Sequence, residues 1–222
     1  MTGAAGYVGR HVIPLLREDF DLRLLDIAPI EGPDEYVRCD VGDLEAFTSA
    51  SRGCDAVLHL AAVASEGDFL TEIVPKNIVG TRNALEAARS SDVGAFVFAS
   101  SGQVVLGYPP ETFVTTSMPP MPTGAYAASK LFGEALAQHY GLEHGLRTFS
   151  LRMGWFGPEL TDEMRADPVG WCWLSPQDLA SLVTACIRSD EPSGVYFAAS
   201  SGASSHWDLD EPHRRVGWQP SD

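Results

Sequence analysis

The sequence predicts an α/β protein built on a doubly wound parallel sheet, and three observations predict it. Apolar strand-like runs alternate with helical patterns along nearly the whole chain. One of those runs, "AVLHLAA" (56–62), is continuously apolar, as a strand covered on both faces is. A glycine-spaced turn in "TGAAGYVG" leads straight into the first helical pattern.

The elements follow in order. A helix is expected over 6–18, then the short strand "LRLLD" (22–26), the strand "EYVRCD" (35–40) and a helix over 43–52. After "AVLHLAA" a long helix is expected over 75–91, with Pro75 in a first turn that tolerates its missing N–H. The strand "AFVFASS" (95–101), a proline-rich loop (108–123), a helix over 124–144 and the strand "RTFSLRM" (147–153) come next. Residues 154–174 read as mostly irregular, ahead of a helix at 175–188 and a strand "GVYFAAS" (194–200). The end, "HRRVGWQPSD", leaves little room for further structure. The expected division is a nucleotide-binding domain over 1–153 and a small substrate-binding portion, interleaved with the sheet, over 154–222. In open sheets of this kind ligands sit beyond the carboxyl ends of the strands, so those ends are where chemistry is sought.

Composition narrows the classes. At 222 residues and 45% hydrophobic content the chain can bury a sizeable core, and no stretch reaches the apolar length of a membrane span. The N-terminus has no basic region followed by an apolar one. Fifteen basic against thirty acidic residues give a net charge of −15, which repels a phosphate backbone and argues against a nucleic-acid partner. Cys39, Cys54, Cys172 and Cys186 form no CxxC pair and read as reduced, cytoplasmic thiols. The six histidines show no ligand spacing, so no metal site is expected.

Gly3, Gly6 and Gly9 let backbone approach a pyrophosphate, and the helix that follows offers oriented N–H donors. Asp26 ends the next strand, 20 residues past Gly6, where a carboxylate accepts from a ribose hydroxyl and disfavours a 2′-phosphate. The pattern predicts NAD in preference to NADP. Asp40 reads as a cap for the helix over 43–52, as an adenine contact, or as both. Asn77 reads as a surface amide or as a structural or catalytic link, and His59 as a satisfied core histidine.

Tyr126 and Lys130 stand four apart on a helix and therefore share a face. A cation beside a phenol favours the phenolate, which could take a proton from a hydroxyl while hydride leaves the same carbon. Ser100 and Ser101 end the strand "AFVFASS", where a hydroxyl could hold the reacting oxygen against Tyr126. Glycine turn, acid, strand-end serine and Tyr/Lys helix in this order predict an enzyme.

"TGAAGYVG", Asp26, "CDV", "HLAA", "KNIVGTRNALEAA", "FASS" and "YAASK" together resemble the extended short-chain dehydrogenase/reductase family, also called the NAD-dependent epimerase/dehydratase family, with its Rossmann fold. "FVFASSGQVVLGYPP", "YAASKLFGEALAQHY", "WCWLSPQDLASLV" and "VGWQPSD" are most similar to its uronate dehydrogenases. The resemblance implies Ser101, Tyr126 and Lys130 as catalytic residues, Ser101 being preferred to Ser100. It implies a cofactor site of Gly3, Gly6, Tyr7, Val8, Gly9, Asp26, Asp40, Val41, Leu60, Ala61, Ala62 and Asn77, joined by Tyr126 and Lys130. It also implies a sugar pocket of Ser65, Ser101, Gly102 and Gln103, with Arg165 gripping a substrate carboxylate.

The implied activity is oxidation of a sugar or sugar acid with NAD, a hexuronate being oxidised at its anomeric carbon. A nucleotide-sugar epimerase or dehydratase with the same residues, and an NAD-sensing binding protein, stand as alternatives. A homodimer through the long helices is implied by the resemblance alone. Two departures bear on the substrate: Gly102 and Gln103 stand where uronate dehydrogenases carry Asn and His, and Trp155 stands where a small polar residue is expected. The strand ahead of Gly3 is represented by Met1 and Thr2, so the chain is expected to begin inside it, to be less stable than one extended upstream, and to end before the family's final helical segment.

Overall fold

The computed structural model describes residues 1–30, 32, 35–200, 202 and 206–222. Four parallel strands form its centre: β3 (Ala56–His59), β4 (Ala95–Ser101), β5 (Arg147–Met153) and β8 (Ser193–Ala198), side by side in that order. β1 (Arg23–Asp26) and β2 (Glu35–Arg38) form a second parallel pair. Thr2 joins the two sets, bridging in parallel to Leu25 on one side and His59 on the other. A cavity of about 800 Å³, lined by Met1, Leu22 and Leu58, opens at the amino ends of β1 and β3.

Alternation along β4 decides what packs on each face. Val97 joins Phe149, Leu151 and Tyr196 beneath α1 (Tyr7–Leu16) and α6 (Pro176–Arg188). Phe96 and Phe98 point the other way, into a core shared with α2 (Leu44–Ser51), α3 (Gly80–Ser90) and α4 (Ala125–His144). Burying one such side chain contributes about 1.5–3 kcal/mol.

Local chemistry sets the helix ends. Ser175 caps α6 by accepting from the Asp178 N–H at 3.0 Å, with Pro176 in the first turn. Asp178 is fully buried, and its carboxylate collects the Ser200 hydroxyl (2.7 Å) and the Ser221 N–H (2.7 Å), which pins the end of the chain. Gly145, at φ 68°, closes α4 in the left-handed conformation that favours glycine.

The sequence reading differs from the structure in three places. The helix expected from Pro75 begins earlier, as a π-helical segment over Phe69–Val79 that continues into α3. Pro75 cannot donate, and its carbonyl accepts from Gly80 five residues on, which is the wide π spacing. The stretch 154–174 holds a short strand pair, β6 (Trp155–Phe156) with β7 (Trp173–Leu174), and the one-turn helix α5 (Asp162–Ala166). The tail forms α7 (Asp210–Val216), and Trp218 behind it is buried with its indole N–H donating to Ser181 at 2.8 Å.

Candidate active site

The glycine turn is shaped for close approach. Gly3 sits at φ +65°, and a Cβ there would come within 2.7 Å of the Ala61 nitrogen, so a side chain is excluded twice over. At Gly9 a Cβ would fall 2.5 Å from the Ala4 carbonyl oxygen, so the first turn of α1 needs a glycine to pack there. The N-terminus of α1 has neither a capping side chain nor an acid in its first turn, and its orphan N–H groups suit an anion. Asp26 holds the turn from the end of β1. Its two oxygens accept from Ala5 N (2.9 Å) and Ala28 N (3.0 Å), and each keeps a free acceptor direction. These residues fit a dinucleotide.

The reactive groups converge from two elements. Ser101 ends β4, accepts from Gln103 N at 3.2 Å and lines the same cleft as the Tyr126 phenol. Ser100, one residue earlier, donates to buried Glu134 at 2.5 Å, so of the two serines it is Ser101 that reaches the tyrosine. Lys130 lies one turn beyond Tyr126 on α4, buried, with its ammonium donating to the Ala99 carbonyl at 2.8 Å.

The electrostatics depart from the sequence expectation. Burial raises the Tyr126 phenol above its ordinary value, and only the Ser101 hydrogen bond acts in the opposite sense. Burial also lowers the Lys130 ammonium to about 8. The net direction is therefore opposite to the expected depression, with Lys130 Nζ donating to the Ala99 carbonyl and standing 5.8 Å from the phenol ring centroid. His59 behaves as a core histidine: it meets Thr2 Oγ1 at 2.8 Å, and burial holds it down at about 3.

A cleft of about 470 Å³ spreads from these groups and is lined by Val8, Leu60 and Ala62 on the glycine-turn side. Gly102 and Gln103 line it too. Ser65 and Arg165 do not: Ser65 is exposed and donates to the Glu66 carbonyl, and Arg165 is exposed on α5. Asp40 does not cap α2. Asp43 does, accepting from Ala46 N at 3.0 Å, while Asp40 closes a turn onto Gly42 N at 2.8 Å. Val41 packs over Gly80, and its carbonyl accepts from Asn83 at 3.1 Å. Tyr7 is exposed, edge-on to Phe156. Asn77 serves as a link: its amide takes Val63 N at 2.8 Å and donates to Ser129 at 2.9 Å, tying the loop after β3 to α4.

Several residues of the site carry no local signal. Glu66 accepts from Tyr126 N at 3.0 Å and caps α4 from sixty residues away, where Gly124 offers no side chain. Trp207 lines the cleft and is held by stacking on Phe197 at 4.7 Å. Behind β4, Arg152 and Glu134 form a buried pair with Nη2–Oε2 at 2.8 Å. The glycine turn, Asp26, the i, i+4 Tyr/Lys spacing and the strand-end serines could be read ahead of time.

A doubly wound parallel sheet whose glycine cradle opens onto a serine, tyrosine and lysine at its carboxyl edge defines an α/β oxidoreductase-type nucleotide enzyme. The sequence pattern of the NAD dependent epimerase/dehydratase family matches residues 1–168. The chain belongs to that family, and NAD is its cofactor. It is 34% identical to the L-arabinose 1-dehydrogenase (NAD(P)(+)) of Haloferax volcanii, over all of this chain and 95% of that one. It is equally 34% identical to the uronate dehydrogenase of Agrobacterium fabrum, over all of this chain and 83% of that one. A crystal structure of uronate dehydrogenase from Agrobacterium tumefaciens superimposes with a TM-score of 0.90 at 34% identity, covering all of this chain and 83% of that one. Fold, family and cofactor thus agree with the sequence reading. Among the described residues no helix is long and apolar enough to cross a membrane.

Proposed function

We propose that this protein is an NAD-dependent dehydrogenase that oxidises a free sugar or sugar acid at a hydroxyl-bearing carbon. The observation that carries the reading is that Ser101, Tyr126 and Lys130 line one cleft together with Val8 of the glycine turn. The activities of its relatives, L-arabinose and uronate dehydrogenation, support it.

The backbone around Gly3–Gly9 and the start of α1 would hold the pyrophosphate, Asp26 the adenosine ribose, and Asp40 and Val41 the adenine side. NAD supplies the hydride acceptor. Ser101 donates to the reacting oxygen and orients it, and Tyr126 receives the hydroxyl proton as the C–H electron pair leaves. Lys130 lies beside the ring as a buried amine and would reach the nicotinamide ribose.

Tyr126→Phe should abolish NADH formation with a sugar substrate while leaving NAD affinity within about threefold. Near-normal turnover in that variant would overturn the assignment. Sugar interconversion without net NADH in the unmodified protein would favour an epimerase instead. The four free cysteines fit a reducing cytoplasm. Exposed Phe69, Leu70, Val79 and Phe132 on the long helical segments support a homodimer through them, which sizing in solution tests.

A further inference from the structure

We infer that the substrate is a neutral aldose rather than a sugar acid, read by the Gln103 amide against an indole wall made by Trp207 and Trp155. This rests on the dehydrogenase reading above and names the substrate class of that same site.

The cleft has no place for a carboxylate. Among the described residues that line it, Lys130 is the one charged side chain, and it sits beside Tyr126, donating to the Ala99 carbonyl, where the reading above gives it to the nicotinamide ribose. Arg152 is locked bidentately to Glu134 behind the strand, and Arg165 stands outside the lining on α5. A carboxylate taken out of water without a partner is heavily penalised. The net charge of −15 adds long-range repulsion of an anionic sugar.

The wall opposite is rigid and apolar. The Trp207 indole lies 2% exposed, stacked on Phe197 and edge-on to Trp171 at 5.0 Å, and its strand-like bridge to Val114 fixes the backbone. A Cβ on residue 102 would fall inside that indole, so Gly102 cannot give way to a side chain that brings a polar group. Trp155 stands half-open at the mouth. Such surfaces suit the C–H faces of a sugar ring. Gln103 has an amide that presents both a donor and an acceptor, the combination that vicinal hydroxyls need.

The test uses the full chain with saturating NAD and sugars matched in stereochemistry: glucose against glucuronate, galactose against galacturonate, with arabinose and xylose as sugars lacking the distinguishing carbon. The kcat/KM of the neutral member should exceed that of its acid on the order of 100-fold, as expected for an unpaired buried charge. Gln103→Arg, which supplies a guanidinium, should shift the ratio towards the acid by about tenfold or more. A second readout needs no turnover: in Tyr126→Phe loaded with NAD, neutral sugars should change tryptophan fluorescence at concentrations where the acids do not. Acids equal to or better than their neutral partners, in either readout, overturn the inference and leave the dehydrogenase reading standing. NADH from neither series overturns that reading, and the substrate class falls with it.

Discussion

The buried Arg152–Glu134 pair gives a prediction that can be worked through. Both side chains are 5% exposed, joined by Nε–Oε1 at 3.0 Å and Nη2–Oε2 at 2.8 Å, and Ser100 donates to the same carboxylate. Arg152 Nη1 is buried without a partner. Removing one member strands the other buried charge without its partner, at a cost of about 3–5 kcal/mol. Glu134→Leu and Arg152→Met should therefore each lower Tm by roughly 6–20 °C for a chain of this size. The double variant removes both charges and the unpaired Nη1 together, so it should cost ~1 kcal/mol or less. Urea unfolding of the four proteins measures the coupling directly, expected at about 5 kcal/mol or more in favour of the double variant. Additive losses, or single variants within about 1 kcal/mol of the parent, would show that the pair is solvated and refute the reasoning.

Other perturbations follow from the same geometry. Gly3→Ala places a methyl against the Ala61 backbone at φ +65° and should weaken NAD binding at least about tenfold by titration, with intrinsic folding reduced by ~1–3 kcal/mol. Gly102→Val drives a side chain into Trp207 and should destabilise by about 1–3 kcal/mol in urea, an effect that additional Trp207→Ala should partly relieve. His59 is neutral in the folded state, with its value lowered from 6.5 to about 3, so its contribution is complete above pH 6.5 and is lost as pH falls towards 3. His59→Gln should accordingly flatten stability against pH across that window, and an unchanged slope by urea titration would remove His59 from the account.

What was legible in the sequence is what periodicity and short spacing encode. β4 falls on the run 95–101 because it is largely apolar, β5 on 147–153 because Phe149, Leu151 and Met153 alternate with polar residues, and α4 follows from a long helical pattern closed by Gly145. The Tyr126/Lys130 pair was readable because four residues is one helical turn. Illegible features depend on chain distance. Glu66 reaches Tyr126 N across sixty residues, and Trp207 reaches Gly102 across more than a hundred. The π-helical start at Phe69 was hidden because Pro75 looks like a first-turn proline when only its neighbours are read. Arg165 misled for a related reason: a loop arginine near a pocket in sequence carries no information about which way its helix faces.

The end of β4 explains how one strand serves scaffold and chemistry at once. Successive side chains on a strand point to opposite faces, so Ser100 turns to the Glu134/Arg152 pair and Ser101 turns to Tyr126. Glu134 lies on α4 two turns past Tyr126, so the helix that carries the phenol is fastened to the strand that carries its hydroxyl partner. At the helix's other end Glu66 and Asn77 fasten it to the loop after β3, beside Ala62 and the glycine turn. The separation between Ser101 and Tyr126 is therefore fixed from both ends by buried hydrogen bonds rather than by the reacting groups themselves. Ser100→Ala should consequently lower kcat more than it raises KM, because it loosens a distance and removes a hydroxyl already engaged with Glu134. A change confined to KM would mean that Ser100 contacts the sugar directly, and the division of labour between the two serines would be wrong.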